Sequence, residues 1–280
     1  MIRRNLVIGL TVLASWLAGA AGSVSAQGLI WDLPEDGTWV RYEGTYEQVV
    51  FRPNAAEGNM TVRWIRQLTL KSVGKEMAAD KQPETSIVTR VPCRWIEIKV
   101  VTGNPSEGGV DSGPVGARIF KVLVPESRVL DTQADGENIK VSFLPIIKGY
   151  RKIGERDPEP IKAKVLQIYP LISLLMHYKS PLKVEAENED PDIRLGGADT
   201  ATKLRGVRRM ESPVSRTRNE ATLWRCKQVP FGLAKWTVNM VREAKNSIEP
   251  RSAFELVSEV SVEMSAHEMG HDAQSEVATP

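Results

Sequence analysis

The chain has no long apolar run after residue 26, no excess of either charge and no phosphate-binding loop. No segment beyond residue 26 reaches the roughly 18 apolar residues of a membrane helix. Residues 102–116 hold five glycines and two prolines but lack the Lys-Ser/Thr ending of a nucleotide-binding loop. The 37 Lys and Arg residues face 35 Asp and Glu residues, and residues 1–26 contain Arg3, Arg4 and no acid. The remaining 254 residues are therefore neutral, and no nucleic-acid partner is expected.

Residues 1–26 have the layout of a secretory signal peptide. Arg3 and Arg4 precede an apolar run from Leu6 to Leu17, and small residues end at Ala26. Cysteine is absent near this predicted cleavage point, so no lipid attachment is expected there. We predict a periplasmic or secreted protein, soluble after cleavage near Ala26.

Only two cysteines are present, Cys93 and Cys226. In an oxidising compartment two thiols in one chain favour a disulfide between them. The alternative is two separate buried thiols that act as small apolar side chains. The sequence leaves both readings open.

Period-two alternation dominates the chain and predicts β-strands. Val40, Tyr42 and Tyr46 alternate with charged residues, as expected of a strand with one buried and one solvent-exposed face. Similar patterns occupy 60–73, 93–101, 117–124, 204–210, 221–229 and 234–241. Between the last two strands, Pro230 and Gly232 are at the second and fourth positions of a predicted type I turn, which favours a hairpin.

One segment breaks this alternation. Apolar residues recur at three- and four-residue steps through 159–179, as in an amphipathic helix, and Pro170 should kink it. We therefore predict an α+β fold, mostly β. In it a curved antiparallel, half-barrel-like sheet forms a single domain over 27–265, and one substantial helix packs on its concave face.

His267-Glu268-Met269-Gly270-His271 matches the zinc-binding pattern H-E-x-x-H. On a helix, His267 and His271 would share a face, but no third ligand follows in the nine remaining residues. Residues 252–265 fit a strand or a helix, and the strand orients more apolar residues correctly. The strand makes 266–280 a polar, disordered tail. A zinc peptidase is an unfavoured alternative, and weak metal binding by the tail is another.

Charge is unevenly distributed after the predicted helix. Residues 183–199 carry six acids and two bases, whereas 203–227 carry eight bases and two acids. The basic stretch predicts an anion-binding patch for lipid headgroups or acidic glycans, or else a solvated surface. The patch would consist of Arg205, Arg208, Arg209, Arg216 and Arg218.

A resemblance to a known group of proteins is carried by residues 223–236, LWRCKQVPFGLAKW. A Trp-bearing strand, a Val-Pro-Phe-Gly turn and a return strand resemble exported bacterial proteins of the lipoprotein-carrier (Lol-type half-barrel) group. The resemblance implies a half-barrel with a helix in its mouth that binds acyl chains, and it implies no catalytic residues.

These features predict a non-enzymatic protein, without a cofactor, that holds an apolar or lipid-like ligand between sheet and helix. The alternative is a structural or interaction protein of the cell envelope, with an envelope protein as partner. The predicted ligand-binding residues are Trp95, Ile168, Ile172, Leu175, Trp224 and Trp236.

Overall fold

A computed structural model describes most of the chain beyond the predicted signal peptide. The described residues are 28–53, 55–81, 88–107, 109–128, 132–134, 140–142, 144–166, 172–176, 178, 182–196 and 200–278. The predicted signal peptide 1–26 and the predicted ligand-binding residue Ile168 lie outside them.

Strands make up most of the described chain. They are β1 (Trp39–Val50), β2 (Met60–Lys81), β3 (Val88–Ser106), β4 (Gly109–Asp111), β5 (Arg118–Pro125), β6 (Thr132–Ala134), β7 (Lys140–Ser142), β8 (Leu144–Pro145), β9 (Lys148–Ile153), β10 (Glu159–Pro160), β11 (Val165–Leu166), β12 (Lys183–Glu189), β13 (Ala201–Glu211), β14 (Ser215–Arg225), β15 (Leu233–Ala244) and β16 (Glu255–Gly270). Single 3₁₀ turns occupy Gly113–Val115, Glu126–Arg128, Pro230–Gly232 and Arg251–Ala253. Among the described residues, no helix is long and apolar enough to cross a membrane.

A twelve-stranded antiparallel sheet organises the molecule. Its order is β10-β9-β5-β3-β2-β1-β16-β15-β14-β13-β12, with β4 paired to β3. The first strand is thus central, and the chain extends outward on one side and returns to β1 from the other edge. The antiparallel β architecture and the predicted strands are confirmed, and so is the pairing of β14 with β15.

The two faces of the sheet differ in composition. The face we call inner carries the main core, to which β1, β2, β15 and β16 contribute buried side chains such as Tyr42, Leu68, Trp236 and Met264. The outer face carries mostly charged residues and a smaller cluster around Cys93, Trp95, Leu123 and Tyr150, which also includes Ala78, Ile119 and Val277. This division follows from period two, since successive side chains of a strand point to opposite faces.

The prediction of one substantial helix over 159–179 is wrong. The described residues contain no helix of seven or more residues, and β10 and β11 lie in this segment instead. Two prolines, Pro158 and Pro160, favour extended backbone in the residues before them. The Ile161 amide donates to the Gly149 carbonyl (2.8 Å) and the Ile146 amide to the Lys164 carbonyl (2.6 Å). Residues 159–166 thus form hydrogen bonds with the backbone of residues 144–151, which the same residues in a helix would not form.

The β14–β15 connection is a type II turn rather than the predicted type I. The Gly232 amide donates to the Val229 carbonyl at 2.9 Å, and Phe231 has φ 64° and ψ 2°. A positive φ at the third residue defines type II, and for a non-glycine residue it costs roughly 1–2 kcal/mol. The Phe231 side chain is buried and its carbonyl accepts from the Trp31 amide at 2.8 Å. Tertiary contacts therefore stabilise this conformation.

Residues 255–270 form a strand, which resolves the strand–helix ambiguity, and the predicted tail beginning at 266 is wrong. β16 runs to Gly270 because its last residues pair with the start of β1. Residues 271–278, here called the C-terminal strap, then cross the outer face. The Ala273 amide donates to the Gly37 carbonyl (2.9 Å), and Val277 is buried in the outer cluster.

Candidate functional site

Residues 172–176, 178 and 182, here called the covering segment, cover the middle of the inner face. The Trp236 indole donates to the Ser173 carbonyl (3.2 Å), and the buried Asn219 amide donates to the Leu174 carbonyl (3.0 Å). The Tyr178 hydroxyl donates to Asn219 Oδ1 at 3.1 Å. Because these polar groups are buried away from water, each hydrogen bond satisfies a donor and an acceptor that would otherwise have no partner. The covering segment is therefore fastened to β14 and β15.

The predicted ligand-binding residues are not brought together. Ile172 and Leu175 do lie over Trp236 in the main core, with at most 4% of each side chain exposed. The other two described members of the set, Trp95 and Trp224, are on the outer face.

The positions of Trp95 and Trp224 follow from the strand register. Leu223 is opposite Trp236, so the adjacent Trp224 points to the other side of the sheet. There its ring lies beneath the ammonium groups of Lys203 and Lys235, at 5.3 and 5.5 Å. Trp95 packs against Tyr150 at 6.4 Å in the outer cluster. Neither indole contributes to an inner binding surface.

Beyond the covering segment, the inner face continues as a band of half-buried and exposed side chains, which we call the open strip. Its members are inner-face residues of β1, β2, β13 and β15, as their pairing with the buried Val260 and Val262 shows. The open strip consists of Tyr46, Gln48, Val50, Met60, Val62, Trp64, Met210 and Met240. All but Gln48 are apolar or aromatic, and the polar side chains of Thr217, Arg242 and Ser258 lie between Met210 and Val50 in the same row of the sheet. Methionine and aromatic side chains form adaptable apolar contact surfaces.

An arginine lies where the open strip meets the covering segment. Arg66 is only 7% exposed, and its guanidinium carbon is 5.2 Å from the centre of the Tyr46 ring. Its Nε donates to Thr102 Oγ1 at 3.0 Å, and its Nη1 donates to the Ile172 carbonyl. Burial lowers the pKa of Arg66, the nearby Tyr46 raises it, and the like charge of Arg118 lowers it further. Burial raises the pKa of Tyr46, and the Arg66 charge opposes this shift.

The five arginines of the predicted anion patch divide between the two faces. Arg208 is opposite the buried Asn219 and belongs to the inner face, whereas the others are on the outer face. There Arg216 binds Glu243, Arg218 binds Glu220, and Arg205 is 3.5 Å from Glu185. The hydrogen bond to Glu243 raises the pKa of Arg216. The outer arginines are largely neutralised, so a concentrated cationic patch does not form.

The H-E-x-x-H residues lie in and after a strand, where the zinc geometry does not form. Residues four apart in a strand are separated by about 13 Å. His267 is 3.9 Å from Glu43, while His271 is 3.4 Å from the Thr38 hydroxyl. Among the described residues, no group of three metal-ligating side chains is found. The predicted histidine metal site is therefore wrong.

Of the two readings that the sequence left open for the cysteines, the structure has two separate buried thiols and no disulfide between them. Cys93 is in β3 and Cys226 directly follows β14, so β2, β1, β16 and β15 separate them. Five strand spacings correspond to roughly 24 Å across a flat sheet, whereas a disulfide requires Cα atoms within about 7 Å. Both thiols are buried, in different core clusters.

A groove lies on the outer face, beneath the C-terminal strap. It has a volume of about 690 Å³ and its walls include Arg41, Lys71, Lys99 and the strap itself. Glu276 of the strap binds both lysines at 2.6 Å. The charged groups of this groove thus already bind one another, and the open strip remains the better candidate.

Sequence reasoning missed the open strip and Arg66. The signal was present, because Tyr42, Tyr46, Gln48 and Val50 continue one alternating face along β1. Their exposure, however, depends on how far the covering segment extends across the sheet. No period in the sequence encodes that distance.

The comparisons with known proteins add no assignment. The chain matches no protein-family model, and it has no significant sequence match among curated proteins.

Proposed function

We propose that this protein is a non-enzymatic binding protein that holds an acyl chain or a similar apolar ligand along the open strip. One observation carries the proposal: seven apolar or aromatic side chains are half-buried or exposed on the face that elsewhere forms the core. Exposed apolar surface is costly in water, and a group of exposed apolar side chains on one face is typical of a binding surface. The secretory pattern of residues 1–26 supports a role outside the cytoplasm.

The ligand position in this proposal differs from that predicted between helix and sheet. Ile172, Leu175 and Trp236 belong to the buried core next to the open strip, so they do not contact the ligand in this proposal. Tyr46 and Trp64, whose ring centres are 5.0 Å apart, form the end of the open strip next to Arg66. Met60, Met210 and Met240 adjust to the shape of a flexible chain.

Binding of a neutral apolar dye, N-phenyl-1-naphthylamine, tests the proposal. We expect its fluorescence to rise with the purified protein and to saturate. Met240→Glu introduces a charge into the open strip and should weaken dye binding at least tenfold, since an ionised carboxylate beside apolar ligand is poorly solvated. Trp64→Ala should weaken it less, by loss of contact area.

The matched control is Val207→Glu, at a 40% exposed valine on the outer face. It adds the same charge and should leave dye affinity unchanged. Absence of saturable dye binding, or equal loss in Val207→Glu and Met240→Glu, would contradict the proposal. Absence of saturable dye binding is the result expected of the alternative, an interaction protein of the cell envelope.

A further inference from the structure

Charge is sorted between the two faces of the sheet. At the inner-face positions of β1, β3, β5 and β13–β15, of β2 from residue 60 to 72 and of β16 from residue 258 onward, the described strands carry no Asp or Glu, whereas Glu255 at the start of β16 is on the inner face opposite Ala244. These positions do carry arginines, namely Arg66, Arg90, Arg94, Arg118, Arg208, Arg225 and Arg242. The outer face of the same strands carries acids and bases together, as in the Arg63–Glu47 and Lys71–Glu97 pairs. The inner face is therefore apolar and cationic.

Two of these arginines, Arg66 and Arg118, lie on either side of β3 near the end of the open strip. Arg66 is opposite Thr102 on β3, while Arg118 of β5 is opposite Val100, one inner-face position along β3. They are close enough that the charge of Arg118 acts on Arg66. Among the described residues, neither forms an ion pair with an acid. Arg94, in contrast, binds Glu126 at 2.8 Å.

A buried guanidinium without a carboxylate partner is costly, because burial removes its water and returns no opposite charge. Arg66 retains donors beyond the two that Thr102 and Ile172 use, since a guanidinium has five N–H groups. Such groups bind carboxylate and phosphate oxygens in a fixed geometry. The arrangement is thus complementary to an anionic oxygen group.

The open strip has the length of an acyl chain. From Arg66 to Met60 the inner face of β2 extends six residues, or about 20 Å. The hydrocarbon core of a bilayer is about 30 Å thick and contains two chains end to end, so one chain spans roughly 15 Å. A chain whose head is at Arg66 therefore fits within the strip.

We infer that the ligand is an anionic amphiphile, whose alkyl chain lies along the open strip while its carboxylate or phosphate oxygens bind Arg66 and Arg118. This inference rests on the proposed function and adds the charge of the ligand and its orientation. The neutral residues of the strip contact the chain, and the arginine pair selects the head.

Displacement of the bound dye by three compounds with one alkyl chain tests the inference. Dodecanoate, dodecyl phosphate and the neutral dodecan-1-ol are compared at about pH 8, where the carboxylate is ionised. We expect at least one anion to compete roughly tenfold or more better than the alcohol, as a charge-assisted hydrogen bond implies. The better of the two anions identifies carboxylate or phosphate as the preferred head.

Arg66→Gln should reduce the affinity of the anion to that of the alcohol and leave the alcohol unchanged. Arg66→Lys should retain part of the preference. Arg118→Gln is the second variant, for use if Arg66→Gln does not fold. Arg63→Gln is the matched control, because this β2 arginine is on the outer face, 2.5 Å from Glu47, and should leave all affinities unchanged.

The outcomes separate the two proposals. If the dye and all three compounds fail to bind, the proposed function is overturned. If the dye binds but the alcohol competes as well as both anions, only the inference is overturned. A preference for anions that persists in both Arg66→Gln and Arg118→Gln also overturns it, since another site would then hold the head.

Discussion

At the residue scale, close approach of neighbouring strands decides which side chains are tolerated. Gly44 lies in the middle of β1, between Arg66 of β2 and Met264 of β16. A Cβ atom at this position would be 1.9 Å from the Glu263 carbonyl oxygen. That oxygen belongs to the β16 backbone, which cannot move aside without breaking the ladder at the centre of the sheet. Glycine is required here by contact distance rather than by an unusual φ.

Gly44→Ala should therefore destabilise the fold by about 3 kcal/mol or more, as overpacking against backbone does. Urea unfolding followed by far-UV circular dichroism measures the change. The control is Gly196→Ala, where no atom lies within 4 Å of the added Cβ and a change within about 0.5 kcal/mol is expected. Similar midpoints for the two variants would refute the account of Gly44.

At the element scale, the C-terminal strap shows how a polar segment becomes ordered. Glu97, on β3, is completely buried, and it accepts hydrogen bonds from the Ser275 hydroxyl (2.7 Å) and the Glu276 amide (3.1 Å). Lys121 donates to the Val277 carbonyl at 2.9 Å. The polar groups of Ser275 and Glu276 and the Val277 carbonyl thus meet partners on the sheet. The polar composition of residues 271–278 suggested disorder. It could not show that their partners lie on β2, β3 and β5, which are distant in the sequence.

Acid should weaken the attachment of the strap through Glu276. Burial alone would raise the pKa of this carboxyl, but the hydrogen bonds and charges of Lys71 and Lys99 outweigh burial and lower it below 4.5. A folded-state pKa below the unfolded value means that the ionised carboxylate stabilises the fold above about pH 4.5. That stabilisation is lost as the pH falls through the lowered folded-state pKa.

Glu276→Gln should consequently lower the unfolding midpoint at neutral pH, and the difference from wild type should close as the pH falls toward 3. Urea unfolding at a series of pH values measures it. Glu57→Gln, at an exposed carboxyl between β1 and β2, should match wild type throughout. A constant difference between Glu276→Gln and wild type at all pH values would argue against the ionic contribution.

At the scale of the whole molecule, the order of strands in the sheet separates two cysteines whose chemistry would allow a disulfide. The chain begins at the centre of the sheet and returns to it from the opposite edge, so Cys93 and Cys226 lie on different sides of β1. The same order places Trp95 and Trp236 in different cores. Distances across the sheet, rather than residue type, decide these pairings.

We expect a reductant to leave the unfolding midpoint of the purified protein unchanged. Alkylation in denaturant without reductant should modify both cysteines, as intact-mass spectrometry would show. Cys93→Ser and Cys226→Ser each provide the one-adduct reference mass. An unmodified wild-type protein would mean that the two thiols are joined, which this strand order does not permit.

Much of the sheet could be predicted from the sequence, because alternation is a local property. Val40, Tyr42 and Tyr46 mark β1, and Trp236, Val238 and Met240 mark β15, since strand side chains alternate whatever lies beyond them. The β14–β15 hairpin was also predictable, because its strands are joined by a short turn. The type of turn was not, since the positive φ of Phe231 depends on contact with Trp31.

The candidate site was decided by tertiary structure. Apolar steps of three and four in 159–179 indicated a helix, but residues 161 and 164 bond to neighbouring backbone in extended form. Register shifts at Ser72/Lys75 and Trp224/Arg225 change which side chains share a face, and one-residue shifts leave little trace in composition. The sequence by itself determined the strands, their alternation and the neutral charge balance. The position of Arg66 beside the open strip arose only when β1, β2, β3 and the covering segment met, because burial depends on three-dimensional neighbours.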